Sequence, residues 1–484
     1  MLKRLSKGLY HVVWYTFAAI VLAAAVSVTL IRLTLPDIGA YRDDIQLWIS
    51  QYMGYPVEIH DIDAEWEGWV PHLYLSNINL LNKDGTNVIS RFHSAHLSLD
   101  PLASLAQRQL VPKQLIVSGL GLTLTRQLDG SIDIAGESAT ATANNKFENS
   151  EVAVWLLRQK KITIQNAQVK WIDKISGHEP IFFPDVTLNL RTYKDRMQVN
   201  GSATLPVPYG NSIGFSLDVR GDILTTQWSG TLYIDGKTIS PQMFLGQSRF
   251  ADITVSGGFT DIKAWTDWQD AKLIKFDGVS SYNDFDLIAG TNHLVIDKLT
   301  LHFNGQRLND HDWDVNLQLD DITTVNGIWP QTDINLRIAE NNGDGIRRYT
   351  GKLGYLKLDD IMPLIRQSSL LSDKLERALT GYDIQGELRE IQFLYDGSMA
   401  ETNTLTYSAI FEHINTQHHY PSFSVTVLTG SKKGNLNEAT IHFDANSVSI
   451  TTPAFYTDPV WLSRLQGDLA LFYSDDNLQI DLGL

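Results

Sequence analysis

Four short stretches hold residue types that could do chemistry. GNSIG (210–214) satisfies the Gly-x-Ser-x-Gly pattern of a serine nucleophile. A nucleophile elbow needs a strand, a sharp turn and then a helix. Here FSLDVRG follows and alternates like a strand, so a hairpin turn is the expected role and a hydrolase using Ser212 the outlying one. His93 and His96 are three apart, which in a strand puts them on opposite faces and argues against a ligand pair. NDHDWD (309–314) clusters Asp310, His311, Asp312 and Asp314, either a weak cation holder or, by preference, a solvated turn. His418 and His419 are adjacent and diverge. Cysteine is absent, which excludes disulfides, thiolate nucleophiles and Cys-ligated metals. No phosphate-cradling glycine loop is present. The expectation is no catalytic residue, no metal and no cofactor.

The elements around these stretches are mostly strands. Apolar and polar residues alternate in HSAHLSLD (93–100), QLIVSGLGLTLT (114–125), DVTLNLR (185–191), IGFSLDVRG (213–221), HLVIDKLTLHF (293–303) and WDVNLQLDDI (313–322). The pattern continues to LALFY (469–473), with KDG, LDG, NNGDG, YDG and KKGN as turn signals. The apolar stripes are Leu97 and Leu99; Leu122 and Leu124; Leu188 and Leu190; Phe215, Leu217 and Val219; Leu232 and Ile234; Leu299, Leu301 and Phe303; and Val315, Leu317 and Leu319. Singly, each stripe reads as ordinary core. As a set they predict one long apolar face. Trp66, Trp69, Trp171, Trp228 and Trp313 read as packing residues at strand or groove edges.

Helical signals are few. Ile38, Tyr41, Ile45, Trp48, Ile49 and Tyr52 have helical spacing, stopped by Gly54 and Pro56. Asp100-Pro101, Ser240-Pro241 and Asp458-Pro459 each pair a capping residue with proline and predict short helices. Two more are predicted over 149–161 and 359–381. Helices this sparse cannot cover so many strands, so either sheets pack on one another or one sheet curls into a trough. An open trough of Leu, Ile, Val and Phe far exceeds an ordinary exposed apolar patch and calls for an apolar ligand such as acyl chains.

The N-terminus sets the compartment. Lys3, Arg4 and Lys7 precede an uncharged run from Gly8 to Ile31. A helix of that length rises roughly 35 Å, enough to span a bilayer core, and the run is longer than a signal-peptide apolar region. The basic residues put the N-terminus in the cytoplasm and the rest of the chain outside. The chain has 484 residues and a formal charge of −16, from 55 acidic against 39 basic residues. That balance disfavours nucleic acid.

Three segments in combination resemble the AsmA-like superfamily, and within it the YhdP branch of Gram-negative inner-membrane proteins. They are LPDIGAYRDDIQLWISQYMGYPVEIHDIDAEWEGWVPHLYLSNINL after the anchor, WLLRQKKITIQNAQVKWIDKISGHEPIFFPDVTLNLR, and WSGTLYIDGKTISPQMFLG. The resemblance covers roughly residues 1 to 330. It implies a β-groove on a single inner-membrane anchor that moves phospholipid across the periplasm. Members of the branch are usually longer, so the chain is expected to be a truncated frame, a short paralogue or one half of a two-chain bridge.

The expected architecture is mainly β: an N-terminal transmembrane helix, then an elongated, curled, mostly antiparallel sheet forming a hydrophobic groove, with a few short helices. The expected divisions are 1–35 (cytoplasmic tip and anchor), 36–136 (helix plus β module), 137–150 (low-complexity linker), 151–357 (groove repeats), 358–381 (helical insertion) and 382–484 (further groove strands). The expected partners are phospholipid acyl chains, the inner membrane and a second protein or chain completing the bridge. The rival expectation is a membrane-anchored scaffold in outer-membrane biogenesis that carries no lipid.

Overall fold

The computed structural model of the chain describes residues 13–23, 25–26, 29, 35–68, 70–81, 84–86, 88–107, 111–128, 132–136, 160–175, 179–222, 227–241, 252–340, 347–368, 381–396, 404–419, 422–435, 437–474 and 477–483. Residues 13–23 are helical and their apolar side chains are exposed, Trp14, Phe17, Ile20 and Leu22 among them. Among the described residues no helix is long and apolar enough to cross a membrane. Lys3, Arg4, Lys7, the 137–150 linker and most of the helix predicted over 149–161 lie outside the described residues, as do Trp69, 242–250 after Pro241 and 369–380.

The chain divides into two units, Met1–Pro206 and Val207–Leu484. In the first, a 3-10 turn (Leu35–Tyr41) runs into α1 (Arg42–Met53). Gly54 ends α1 in the left-handed conformation at φ 75°, its N–H donating to the Ser50 carbonyl at 2.9 Å, as the glycine signal predicts. The strands are β1 (Val57–Glu67), β2 (Val70–Leu81), β3 (Val88–Leu99), β4 (Pro112–Ser118), β5 (Gly121–Arg126), β6 (Ile132–Gly136), β7 (Lys161–Asp173), β8 (Ile181–Tyr193) and β9 (Arg196–Thr204). Helix α2 (Pro101–Gln107) follows β3. Asp100 Oδ1 accepts from the Ala103 N–H at 3.0 Å, the cap the Asp-Pro pair predicts. Neighbours pair antiparallel, except that β4 and β5 lie end to end along β7 and parallel to it.

The second unit holds β10 (Ser212–Gly221), β11 (Trp228–Ile239), β12 (Ile253–Gln269), β13 (Lys272–Ala289), β14 (Asn292–Arg307), β15 (Trp313–Thr324), β16 (Gly327–Ile328), β17 (Thr332–Glu340), β18 (Arg347–Lys357), β19 (Tyr382–Asp396), β20 (Thr404–His419), β21 (Ser422–Asn435), β22 (Glu438–Thr451), β23 (Val460–Ser474) and β24 (Asn477–Gly483). It is an antiparallel meander in which successive strands pair, β15 reaching β17 past the short β16. Helix α3 (Leu358–Ile365) interrupts it between β18 and β19.

Two features bend this sheet. The first is α3, which touches β13, β14, β18 and β19. Five strand spacings separate β13 from β19, about 24 Å if flat. An eight-residue helix is only about 12 Å long. The intervening strands therefore curl around it. The second is a line of β-bulges. Residues with positive φ fall in one band of the sheet, within a few residues of one another in register: Thr238, Gly258, Asp284 and Asp321, then Gly386, His413, Val427 and Ser447. Bulges add a residue to one strand and sharpen its bend. Their free N–H groups are met by neighbouring side chains. Thr238 N–H donates to Asp261 Oδ1 at 2.7 Å, Gly386 N–H to Asp359 Oδ2 at 2.9 Å and Val427 N–H to Asn415 Oδ1 at 2.9 Å.

One predicted helix is overturned. The segment after Asp458-Pro459 is strand β23, not a helix. Val460, Trp461 and Leu462 pair with Ile450, Ser449 and Val448. Leu462 packs on the fully buried Val448, so ladder pairing and burial outweigh the local capping signal.

Candidate functional site

The site that the second unit builds is a sheet face rather than a pocket of reactive groups. Directly opposed residues in an antiparallel pair share a face, so the register can be followed from strand to strand. Phe215, Leu217 and Val219 of β10 face Ile234, Leu232 and Gly230 of β11. Leu301 and Phe303 of β14 face Leu319 and Leu317 of β15, and Val315 and Leu317 face Leu336 and Ile334 of β17. The same row continues through Gly351 and Leu353 of β18 to Phe393 and Ile391 of β19. It then passes Tyr407 of β20 and Gly434 of β21. Ala439 and Ile441 of β22 carry it to Leu471 and Leu469 of β23, and to Ile480 and Leu482 of β24. The opposite face is polar, with an amide ladder in which Asn335 Nδ2 donates to Asn316 Oδ1 (2.7 Å) and Asn316 Nδ2 to Asn304 Oδ1 (3.1 Å).

The two ends of the strands differ. On the bulge side the apolar face is sealed by its own side chains. Ala289, Leu294, Ile296, Leu299, Ile322, Trp329 and Tyr355 form one buried cluster with Leu364 of α3, and Leu319 packs against it. Val425, Ala445 and Val448 form another. Helix α3 is fixed there by Asp360, which is 3% exposed. Its carboxylate accepts from Trp329 Nε1 (2.6 Å), Asn326 Nδ2 (2.7 Å) and Thr324 Oγ1 (3.0 Å). At Tyr355, burial first and then the Glu387 carboxylate push the hydroxyl up to about 12.

Towards the other end the face stays half-exposed: Leu217, Leu232, Ile234, Leu301, Phe303, Val315 and Leu317 are only partly buried, and Phe215 is exposed. Val219 is the exception, fully buried. This edge is aromatic. Trp228 and Trp268 approach to 5.8 Å between centroids, Phe276 and Trp313 to 5.9 Å, and Tyr349 and Tyr395 to 6.0 Å. Several rings lie flat on the sheet because the opposed residue is glycine. A Cβ at Gly305 would overlap the Phe276 ring, one at Gly278 the Phe303 ring, and one at Gly351 the Phe393 ring. The result is a smooth apolar floor.

In the first unit the stripes are placed differently. Leu97 and Leu99 are buried with Leu73, and Ile38 and Trp48 of the N-terminal helical segment pack on them. Leu122 and Leu124 pair with Val169 and Trp171 of β7 and are half-buried. Leu188 and Leu190 pair with Ile164 and Ile162; Leu190 is buried and Leu188 half-buried.

The reactive candidates do not assemble. Ser212 begins a strand, opposed to Lys237, with strand and not helix following. The 309–314 stretch is a turn. Asn309 Oδ1 accepts from the His311 and Asp312 N–H groups at 2.9 Å, and Asp310 pairs with Lys272 at 3.1 Å. The hydrogen bond from Lys272 holds the Asp310 carboxyl below the usual range, and that from the Glu340 N–H does the same for Asp312. No group of three or more His, Asp or Glu among the described residues could hold a metal ion. One pairing escaped the sequence: His96 meets not His93 but His72, Nε2 to Nδ1 at 2.6 Å, and stacks on Tyr74. Burial first, then the His72 charge, lowers the His96 pKa.

No curated protein and no solved structure matches the chain. A family model described as YhdP protein matches residues 1–483, essentially its whole length, and the chain therefore belongs to the YhdP family.

Proposed function

We infer that this chain is a single-pass inner-membrane protein whose periplasmic β-sheet carries phospholipid between the inner and outer membranes, and so contributes to outer-membrane lipid balance and barrier integrity. The observation that carries this reading is the apolar face that continues in register strand by strand from β10 to β24 and is half-exposed at Leu217, Leu232, Leu301, Phe303, Val315 and Leu317. Membership of the YhdP family supports it. So do the exposed apolar side chains of helical residues 13–23, which suit an anchor. Lys3, Arg4 and Lys7 orient that anchor with the N-terminus in the cytoplasm.

The mechanism is passive. Acyl chains lie on the apolar floor while heads stay in water. Each CH₂ buried contributes about 0.8 kcal/mol, enough to retain a two-chain lipid. Apolar rows repeating at about 4.8 Å give similar wells along the sheet, which permits sliding. Direction comes from outside the groove, and a second protein or chain completes the route.

A photo-crosslinker at Leu317 in the full chain tests this, with one at the neighbouring Asn316 on the opposite face as control. Lipid adducts at 317 and not at 316 are expected. Lipid at neither position overturns the reading and favours a scaffold without cargo, to which the sealed cluster beside α3 would then belong.

A further inference from the structure

The two edges of the second unit's apolar face differ in chemistry as well as burial, and the difference bears on how a carried amphiphile lies. This inference rests on the lipid-carrying reading above. The bulge-side edge is closed by Trp329, Tyr355 and Leu364. The other edge carries Trp228, Trp268, Trp313, Tyr349, Tyr395 and Tyr407. Trp and Tyr combine an apolar body with a polar tip and favour boundaries between apolar and wet surroundings. Trp268 already uses its tip in this way, Nε1 donating to Thr266 Oγ1 at 2.8 Å.

The cations on this face differ in their surroundings, and Arg347, which is exposed, opposes Glu340 across the β17–β18 ladder. Arg307 folds onto its own turn, Nε donating to the Asn309 carbonyl at 2.9 Å. Arg389, further along the face, is held by Glu387 (3.0 Å) and Glu412 (2.8 Å). Lys432 has no such partner: no described carboxylate lies within ionic reach of it. It stands on the apolar face between Ala409 of β20 and Ile441 of β22. Its same-face neighbours on β21 are Gly430 and Gly434, which contribute no side chain. Its ammonium lies over the Tyr407 ring, 5.5 Å from the centroid, and so turns towards the aromatic edge. A half-buried cation with apolar neighbours and no carboxylate is matched by an anion that arrives attached to an apolar body.

We propose that a carried phospholipid lies with its head at the aromatic edge, and that Lys432 binds its phosphate. The bond is charge-assisted, from the ammonium to a phosphate oxygen, while the chains run over Ile441, Leu469 and the floor beyond.

The test uses the full chain in a sugar-headed detergent, with native mass spectrometry counting bound phosphatidylglycerol and a diacylglycerol of the same chains. The diacylglycerol has the same tails and no phosphate. Lys432→Gln is expected to lower the ratio of bound phosphatidylglycerol to diacylglycerol about fivefold, and Lys432→Arg to preserve it. Inorganic phosphate at millimolar concentration should leave the ratio unchanged. An unchanged ratio in Lys432→Gln, with both lipids still bound, overturns this assignment and leaves the carrier reading intact. Displacement by inorganic phosphate alone makes Lys432 a site for the free ion and also overturns it. Binding of neither lipid by the unmodified chain instead overturns the carrier reading itself.

Discussion

Leu97 in the first unit and Leu317 in the second are comparable, each in an alternating strand and facing apolar neighbours across the ladder. Leu97 is covered: the segment before β1 folds back and lays Ile38 and Trp48 over it. That segment is tied down by side chains, with Gln46 Oε1 accepting from the Ile59 N–H and Ser50 Oγ from the Val57 N–H, both at 3.0 Å. Leu317 lies beyond the reach of α3 and stays half-exposed. Alternation therefore fixes which side of a strand is apolar, and a helix elsewhere in the chain decides whether that side is core or open floor.

The same substitution at the two leucines should break this comparison most visibly. Leu97→Glu buries a carboxylate without a partner and should cost about 3–5 kcal/mol, unfolding the first unit. Leu317→Glu should leave the melting transition of the full chain nearly unchanged and reduce bound lipid. Equal destabilisation by both would mean that the second face is also core. Next in size is Asp360→Ala, which orphans the Trp329, Asn326 and Thr324 donors. It should cost about 2–4 kcal/mol, seen as faster amide exchange in α3 and β15, with Asp360→Asn milder.

A pH effect follows for the first unit. Because His96 has a folded pKa below its unfolded value of 6.5, the unfolded chain binds the extra proton first. The stability His96 contributes is complete above about pH 6.5 and is lost as pH falls through the lower folded value. Protection factors of β2 and β3 amides, corrected for the intrinsic pH dependence of exchange, should fall between pH 7 and 5, and His96→Gln should flatten that fall. The smallest expected change is a gain: Val427 sits at φ 62°, costly for a β-branched side chain, and Val427→Gly should stabilise the second unit by up to about 1 kcal/mol in chemical denaturation.

Much of the floor was legible because period two is a strong signal where strands run straight. Each stripe from Phe215 to Leu319 lies on one shared face, and the alternation of TDINLRI and ATIHF carried the same information for Ile334, Leu336 and Ile441. The bulge line was not legible. Left-handed positions usually announce themselves as glycine, and here only Gly258 and Gly386 do; the others are Thr238, Asp284, Asp321, His413, Val427 and Ser447. Each changes which parity faces inward, so on β13 Phe276, Gly278 and Tyr282 share a face with Phe285 and Leu287. The division into sealed and open edges follows from those offsets. The His72–His96 pair, the Asp360 anchor and the isolation of Lys432 are likewise cross-strand facts, set by register between residues far apart in sequence. Asp458-Pro459 shows the opposite error, a local signal outweighed by a partner strand.

Because the bulges fall in one band of the sheet, the hairpins that carry them present similar cross-sections, much as lengths of guttering share a profile. Inserting or deleting a hairpin that carries the offset would lengthen or shorten the conduit without altering its bore. On the carrier reading, reach across a compartment is a quantity that can be adjusted in whole modules, separately from what the groove can hold.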